Sequence, residues 1–310
     1  MKTIRIGTRG SRLALAQTGM VAAALQKMHP DLTCELITIK TTGDRILDAP
    51  LSKIGDKGLF TREIEKEILA GRIDAAVHSM KDLPTFLPEG LIVGAVPRRE
   101  DPRDVFISRH GKRFADCAGG CTIATGSLRR QAQLKAAFPG IKTIDIRGNI
   151  HTRLSKMNSR EDIDGIILAR AGIERLGMTD IITETFTTDT ILPAVGQGAL
   201  AVEIRADDLD TAKLIAPLDD RETHAEVACE RSFLAALGGG CQIPIAALAQ
   251  VSGDSITIHG MVASLDGSII YRGRQTGNRD QAEETGRLLA LRLMEQGAKN
   301  ILEELYGQRP

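Results

Sequence analysis

Four short stretches of the chain hold the side chains able to do chemistry. Ser127-Leu128-Arg129-Arg130-Gln131 joins a hydroxyl to two guanidinium forks where a helix is about to begin. Free backbone N–H groups at such a helix start, with paired arginines, make a trap for carboxylate or phosphate. Arg147-Gly148-Asn149, with Arg153 shortly after, repeats the pattern at a second junction. His78-Ser79-Met80-Lys81-Asp82 puts one carboxylate beside a cation. An Asp in such surroundings can offset positive charge that develops in a reaction and can pass protons. His78 reads as structural, because no nucleophile-elbow motif accompanies it to support a Ser-His-Asp triad. Cys241 follows Gly238-Gly239-Gly240 and precedes Gln242-Ile243-Pro244. Glycines let a backbone turn tightly and approach a ligand, so this thiol is expected at an accessible loop tip.

The surrounding patterns supply elements to position these groups. Ile4–Thr8 reads as a strand, and Ser11 caps a helix carrying Leu13, Ala14, Gln17 and Val21. Cys34–Ile39 alternates as a strand, Leu59–Leu69 has helical spacing, and Ala75–Ser79 and Ile92–Val96 are short buried strands. A second set follows: strands at Asp104–Ile107, Thr122–Thr125, Thr143–Ile146 and Gly165–Leu168, with helices over Ser127–Ala137 and after Asn149. Strand–helix alternation of this kind predicts parallel α/β sheets with helices on both faces. The end of the chain differs. A helix over Thr223–Leu237 leads to strands at Ile245–Val251, Ser255–Ala263 and Ser268–Gln275, then helices over Gln281–Gln296 and Ala298–Leu305, which predicts a small antiparallel α+β domain. Thr41–Lys57 lacks periodicity and is expected to be a long mobile loop.

In such sheets the ligand crevice collects residues from the C-terminal strand ends. Arg9 and Ser11 follow the first strand, Lys81 and Asp82 follow Ala75–Ser79, Ser127, Arg129 and Arg130 follow Thr122–Thr125, and Arg147 follows Thr143–Ile146. So much positive charge at strand ends predicts a polyanionic ligand. No Walker-type loop or dinucleotide glycine fingerprint favours a nucleotide.

Bulk composition narrows the class. The chain has 310 residues, 42% of them hydrophobic and 26% charged, enough for two or three soluble domains. Forty Lys plus Arg balance forty Asp plus Glu, and aromatics are 3% with no Trp, which speaks against nucleic-acid binding. No apolar signal core opens the chain and no run of apolar residues is long enough for a membrane span. Five scattered cysteines suggest reduced thiols and a cytoplasmic setting. Cys34 and Cys229 read as strand and helix-core residues. Cys117 and Cys121 lack a second ligand pair, so no metal is expected there.

In their order along the chain these motifs resemble those of the porphobilinogen deaminase (hydroxymethylbilane synthase) family. The matching segments run from Thr8-Arg9 through Leu15-Ala16-Gln17, Lys57-Gly58-Leu59-Phe60, His78 to Asp82 and Arg99-Glu100-Asp101-Pro102-Arg103-Asp104. They continue with Ser127 to Gln131, Arg147-Gly148-Asn149, Thr152-Arg153-Leu154, Pro193-Ala194-Val195-Gly196-Gln197-Gly198 and Gly239 to Pro244. The resemblance implies two periplasmic-binding-protein-like α/β domains with parallel-rich sheets plus a small C-terminal α+β domain. Domain 1 would be discontinuous, 1–98 and 199–217, domain 2 would span 99–198, and domain 3, 218–310, would carry the cofactor cysteine.

The same resemblance implies a dipyrromethane primer held by a thioether to Cys241, with no metal. Asp82 would be catalytic, stabilising the cation left when porphobilinogen loses ammonia. Lys81, Ser127, Arg129, Arg130 and Arg153 would hold the primer. Arg9, Ser11, Gln17, Arg147, Arg153 and Arg175 would bind substrate carboxylates, and Lys57 and Phe60 would belong to a lid. Four condensations and a hydrolysis would release a linear tetrapyrrole from a cytoplasmic monomer that needs neither nucleic acid nor membrane. Charge arithmetic fits: each pyrrole unit brings two carboxylates, and an uncompensated buried ion costs several kcal/mol.

Three positions depart from the family pattern. Gly238 stands where many relatives have a charged residue and is expected to loosen the cysteine loop. Gly126 replaces a small hydroxyl residue, and Asp56 before Lys57 is unusual. The rival reading is a non-catalytic two-lobed binding protein for a small organic polyanion, which gives Cys241 no role.

Overall fold

Strand β1 (Lys2–Arg9) places Ile4 and Ile6 on one buried face, and α1 (Arg12–Met28) returns over it. The buried residues of α1 are Ala14, Gln17, Thr18, Val21, Ala22 and Leu25, the three-and-four spacing that lays one helical face on a sheet. Its start is set locally: Ser11 Oγ accepts the Ala14 N–H at 3.2 Å. The computed structural model describes residues 2–45, 58–117, 120–239 and 243–307. These divide into two compact units, one built from the described residues up to Glu100 together with Gly198–His224, the other from Asp101–Gln197 and the described residues after His224.

The first unit holds β2 (Leu32–Ile39), a helical turn α2 (Thr42–Arg45), α3 (Arg62–Leu69), β3 (Ala75–Ser79), β4 (Leu91–Ala95) and, from late in the chain, β10 (Leu200–Arg205) and α7 (Leu209–Ile215). Its five strands run in the order β2-β1-β3-β10-β4. β1 pairs in parallel with β2 and β3, whereas β10 lies antiparallel between β3 and β4. Ile4, Ile6, Val21, Leu25, Val77, Val202 and Ile204 form the core beneath α1.

The second unit contains two sheets. One runs β7-β6-β8-β5-β9, from β5 (Asp104–Ser108), β6 (Thr122–Ala124), β7 (Lys142–Ile144), β8 (Gly165–Ala169) and the short β9 (Glu184–Thr185). Helices α4 (Leu128–Ala137), α5 (Ile150–Ser159) and α6 (Arg170–Arg175) follow β6, β7 and β8. The other sheet is the antiparallel meander β11 (Ile245–Ser252), β12 (Ser255–Ala263) and β13 (Ile270–Asn278), covered by α8 (Arg221–Ala236), α9 (Ala282–Leu293) and α10 (Lys299–Gly307). Ala132 on α4 packs with Ala246, Leu248, Met261 and Ala263, so α4 joins the two sheets of this unit through apolar contact with the meander.

The α/β class and the closing α+β segment agree with the sequence reading, and β3 and β12 fall on the predicted bounds. The sheets are less uniformly parallel than the alternation suggested. Each five-stranded sheet has two parallel and two antiparallel pairings, because β10 inserts beside β3 and β5 runs against β8 and β9. The segment after Thr41 is not all irregular: Thr42–Arg45 makes a helical turn, and 46–57 lie outside the described residues.

Candidate active site

In the first unit, one open cleft is lined by Arg9, Ser11, Gln17, Phe60, Thr61, His78, Ser79 and Asp82, with Leu13, Ala14 and Val77 as apolar wall. Arg9 closes β1, and its guanidinium lies over the Phe60 ring at 4.1 Å from the centroid. That ring is fixed from behind. Gly43 of α2 sits so close that a Cβ there would collide with the Phe60 ring, and the Gly43 N–H donates to Leu59 C=O. Ser11 Oγ accepts from the helix start, which leaves its own O–H free to donate. Gln17, buried on α1, donates its amide to Ser79 Oγ at 2.9 Å. Asp82 ends the single tight turn Met80–Asp82 after β3 and is solvent-exposed, while Lys81 is half-buried.

Beneath the cleft lies a polar cluster that the sequence reading did not assemble. His78 Nε2 stands 3.0 Å from Glu203 Oε2, with both side chains buried. Glu65 of α3 is also buried, and its carboxyl is pushed up from the ordinary glutamate range by burial, reinforced by the Glu203 charge. His78 as a structural residue matches this placement. Its partner went unread because Glu203 interrupts the apolar run of β10.

In the second unit, Arg129 and Arg130 stand at the start of α4, with Ser127 Oγ accepting the Arg130 N–H at 3.5 Å. The guanidiniums are not two open forks, as their place at a helix start suggested. Both are buried against Asp104, which is fully enclosed. Arg129 Nη2 donates to Asp104 Oδ2 at 2.8 Å and its Nη1 to Leu192 C=O at 2.6 Å. Arg130 donates to Asp104 Oδ1 through Nε at 3.1 Å and Nη2 at 2.7 Å, and through Nη1 to Ile167 C=O. Gln197 adds a bond to Oδ1 at 2.9 Å. Burial alone would push the Asp104 carboxyl up, but the two guanidiniums outweigh it and hold the group well below the usual carboxylate range. Two cations facing one carboxylate leave an excess of one positive charge.

Arg147 follows β7 and Arg153 lies on α5, whose start Asn149 caps by accepting the Thr152 N–H at 2.9 Å. Arg153 Nε donates to Gly148 C=O. Arg147 Nη1 is buried with no hydrogen-bond partner among the described residues. A buried guanidinium N–H in this state is unfavourable until an acceptor arrives. Arg175 closes α6. Lys57 and Cys241, two of the expected site residues, lie outside the described residues. The approach to Cys241 is described. α8 ends with Gly238 N–H on Ala235 C=O and Gly239 N–H on Leu234 C=O, Gly238 having φ +90°. This is a glycine-closed helix end, in which Gly238 terminates α8.

A family model described as "Porphobilinogen deaminase, dipyromethane cofactor binding domain" matches residues 4–213, and "Porphobilinogen deaminase, C-terminal domain" matches residues 224–295. The chain belongs to the porphobilinogen deaminase family. Curated relatives of that name include one from Syntrophomonas wolfei, 52% identical over 98% of this chain and 99% of its own. Another, from Carboxydothermus hydrogenoformans, is 50% identical over 98% of this chain and 97% of its own. Among solved structures, the BenM effector binding domain with benzoate covers 77% of this chain and 95% of that chain at 14% identity and TM-score 0.43, a loose likeness.

The cofactor of this porphobilinogen deaminase family is a dipyrromethane, and the residues present fit such a group. A ligand with two carboxylates on each ring needs cations without counter-ions. Arg147 Nη1, buried with no hydrogen-bond partner among the described residues, and two guanidiniums sharing the single Asp104 carboxylate are the kind of chemistry that would suit it. Among the described residues no three His, Cys, Asp or Glu side chains gather as a metal site would require, and no helix is long and apolar enough to cross a membrane.

Proposed function

We propose that this chain is a transferase that condenses four porphobilinogen molecules head to tail on a dipyrromethane primer carried by Cys241, then releases hydroxymethylbilane by hydrolysis. The observation that carries the reading is the first-unit cleft, where Arg9 and the exposed carboxylate of Asp82 line one opening with polar side chains between them. When bound, the primer supplies the nucleophilic pyrrole carbon that the reaction extends.

The chain's own groups do the rest. Arg9, stacked on Phe60, takes a substrate carboxylate in a bidentate grip, and the Ser11 O–H donates to the same group. Gln17 and Ser79, bonded to each other, hold the polar wall in register. Loss of ammonia leaves a cation delocalised over the substrate's methylene carbon and ring N–H. An Asp82 oxygen accepts that N–H, offsets the charge, and takes up a proton released in the cleft. Arg147, with Arg153 and Arg175, neutralises carboxylates of the growing chain, Lys81 and Ser127 hold the primer, and the buried, Asp104-anchored pair Arg129 and Arg130 acts on it through the field of its excess charge. Lys57 and Phe60 belong to the lid. The scheme needs no metal or partner chain and suits a cytoplasmic monomer.

Asp82→Asn tests it. The variant keeps shape and hydrogen-bonding reach but loses the charge, so product formation should fall by about 10²-fold or more, with the primer adduct and fold retained. Near-normal turnover would remove Asp82 from the reaction.

A further inference from the structure

The C-terminal helix reaches back to the base of the cysteine loop. Tyr306, on α10, directs its hydroxyl at the carbonyls of Leu237 (3.0 Å) and Gly239 (3.2 Å), the residues on either side of Gly238. One hydroxyl proton is shared between these two acceptors. The contact is fitted at short range, since a Cβ on Gly238 would meet Tyr306 Oη at 2.9 Å and Cζ at 3.1 Å. The helix bearing Tyr306 is itself anchored, because Ile301 and Leu302 are buried in the same apolar cluster as Leu237. Three consecutive glycines, Gly238, Gly239 and Gly240, would otherwise leave the approach to Cys241 with wide backbone freedom, and ordering glycine costs more entropy than ordering any other residue.

We infer that Tyr306 is a positioning residue for the primer thiol: it latches the carbonyls of Leu237 and Gly239 and so limits where the chain can carry Cys241. The inference rests on the reading that Cys241 bears the primer. Tyr306 touches neither substrate nor primer in this scheme. It acts only through the loop base, and Gly238 is the matched small residue that lets it approach.

Tyr306→Phe keeps the ring and removes the hydroxyl. In the primer-loaded enzyme, hydrogen exchange followed by mass spectrometry should show the 234–243 peptide exchanging about fivefold faster, the effect of one ordinary hydrogen bond. Peptides of β11, β12 and β13 should be unchanged. In chain produced without a porphobilinogen supply, the rate at which added porphobilinogen builds the adduct on Cys241 should fall by a similar factor. Gly238→Ala, which crowds the ring and also strains a backbone held at φ +90°, should act in the same direction on both readouts and more strongly than Tyr306→Phe. Unchanged exchange in 234–243, equal acceleration throughout the C-terminal sheet, or an undiminished loading rate would each overturn the inference. An adduct on another residue would sink the assignment of Cys241 while leaving the exchange result to judge the latch.

Discussion

Asp104→Asn is the sharpest perturbation of the second unit. Asp104 is completely buried and accepts from Arg129, twice from Arg130, and from Gln197. The two arginine side chains are only 6% and 7% exposed, so neither can turn to water without moving α4. Asparagine fits the space, but it removes the charge and sets an NH₂ group against one guanidinium. Breaking a buried ion pair from one side costs about 3–5 kcal/mol. For a unit of this size that is a fall of roughly 6–20 °C in Tm.

Urea unfolding followed by tyrosine fluorescence suits the measurement. The chain has no Trp, and both its tyrosines, Tyr271 and Tyr306, belong to the second unit. The pH dependence gives a second check. Because the Asp104 carboxyl is held below its ordinary range, its stabilisation is present above the unfolded value of about 3.9 and is lost as pH falls toward the folded value. The gap between parent and variant should therefore persist from neutral pH down to about 4 and close below it. A loss under about 1 kcal/mol at pH 7, or a gap independent of acid pH, would refute the claim that Asp104 anchors the two arginines.

Two further outcomes follow from the first unit. Glu65→Gln should raise Tm at pH 8, because the buried Glu65 carboxyl is pushed up and the folded state prefers it protonated. The advantage should shrink as pH falls toward the unfolded value of about 4.3, where the native acid is neutral as well; a pH-independent difference would contradict this. Phe60→Ala removes the ring beneath Arg9 and should raise KM for porphobilinogen about fivefold through loss of one cation–π contact, with kcat changing less. An unchanged KM in steady-state assays would separate Phe60 from substrate binding.

How much of this could be read beforehand depended on how local the determining physics is. Ser11, Ser127 and Asn149 announce helix starts because a capping acceptor lies three residues from its donor; the expected cap at Ser11 forms, and Ser127 and Asn149 cap the helices read there. Ala75–Ser79 is legible because it opens on the apolar run Ala75-Ala76-Val77 and ends before Lys81 and Asp82. Leu200–Arg205 is not, because Glu203 sits in the middle of it. That carboxylate is tolerated in a buried strand through His78, a partner 125 residues away. The arginines of Ser127 to Gln131 read as open anion traps for the same reason: Asp104, which holds them, is 25 and 26 residues distant and became a partner only when β5 was placed beside β8. Gly238 reads in sequence only as one of three glycines; its positive φ and its role as the closing residue of α8 are set by Ala235 and the packing of the helix end.

The account stands most directly on what is attached to Cys241. Intact-protein mass spectrometry of the purified chain, followed by peptide mapping, should find the mass of two linked pyrrole rings on the peptide containing Cys241, and Cys241→Ser should lack both the adduct and tetrapyrrole synthesis. An unmodified, fully active chain, or a Cys241→Ser variant that makes linear tetrapyrrole at the parent rate, would contradict it.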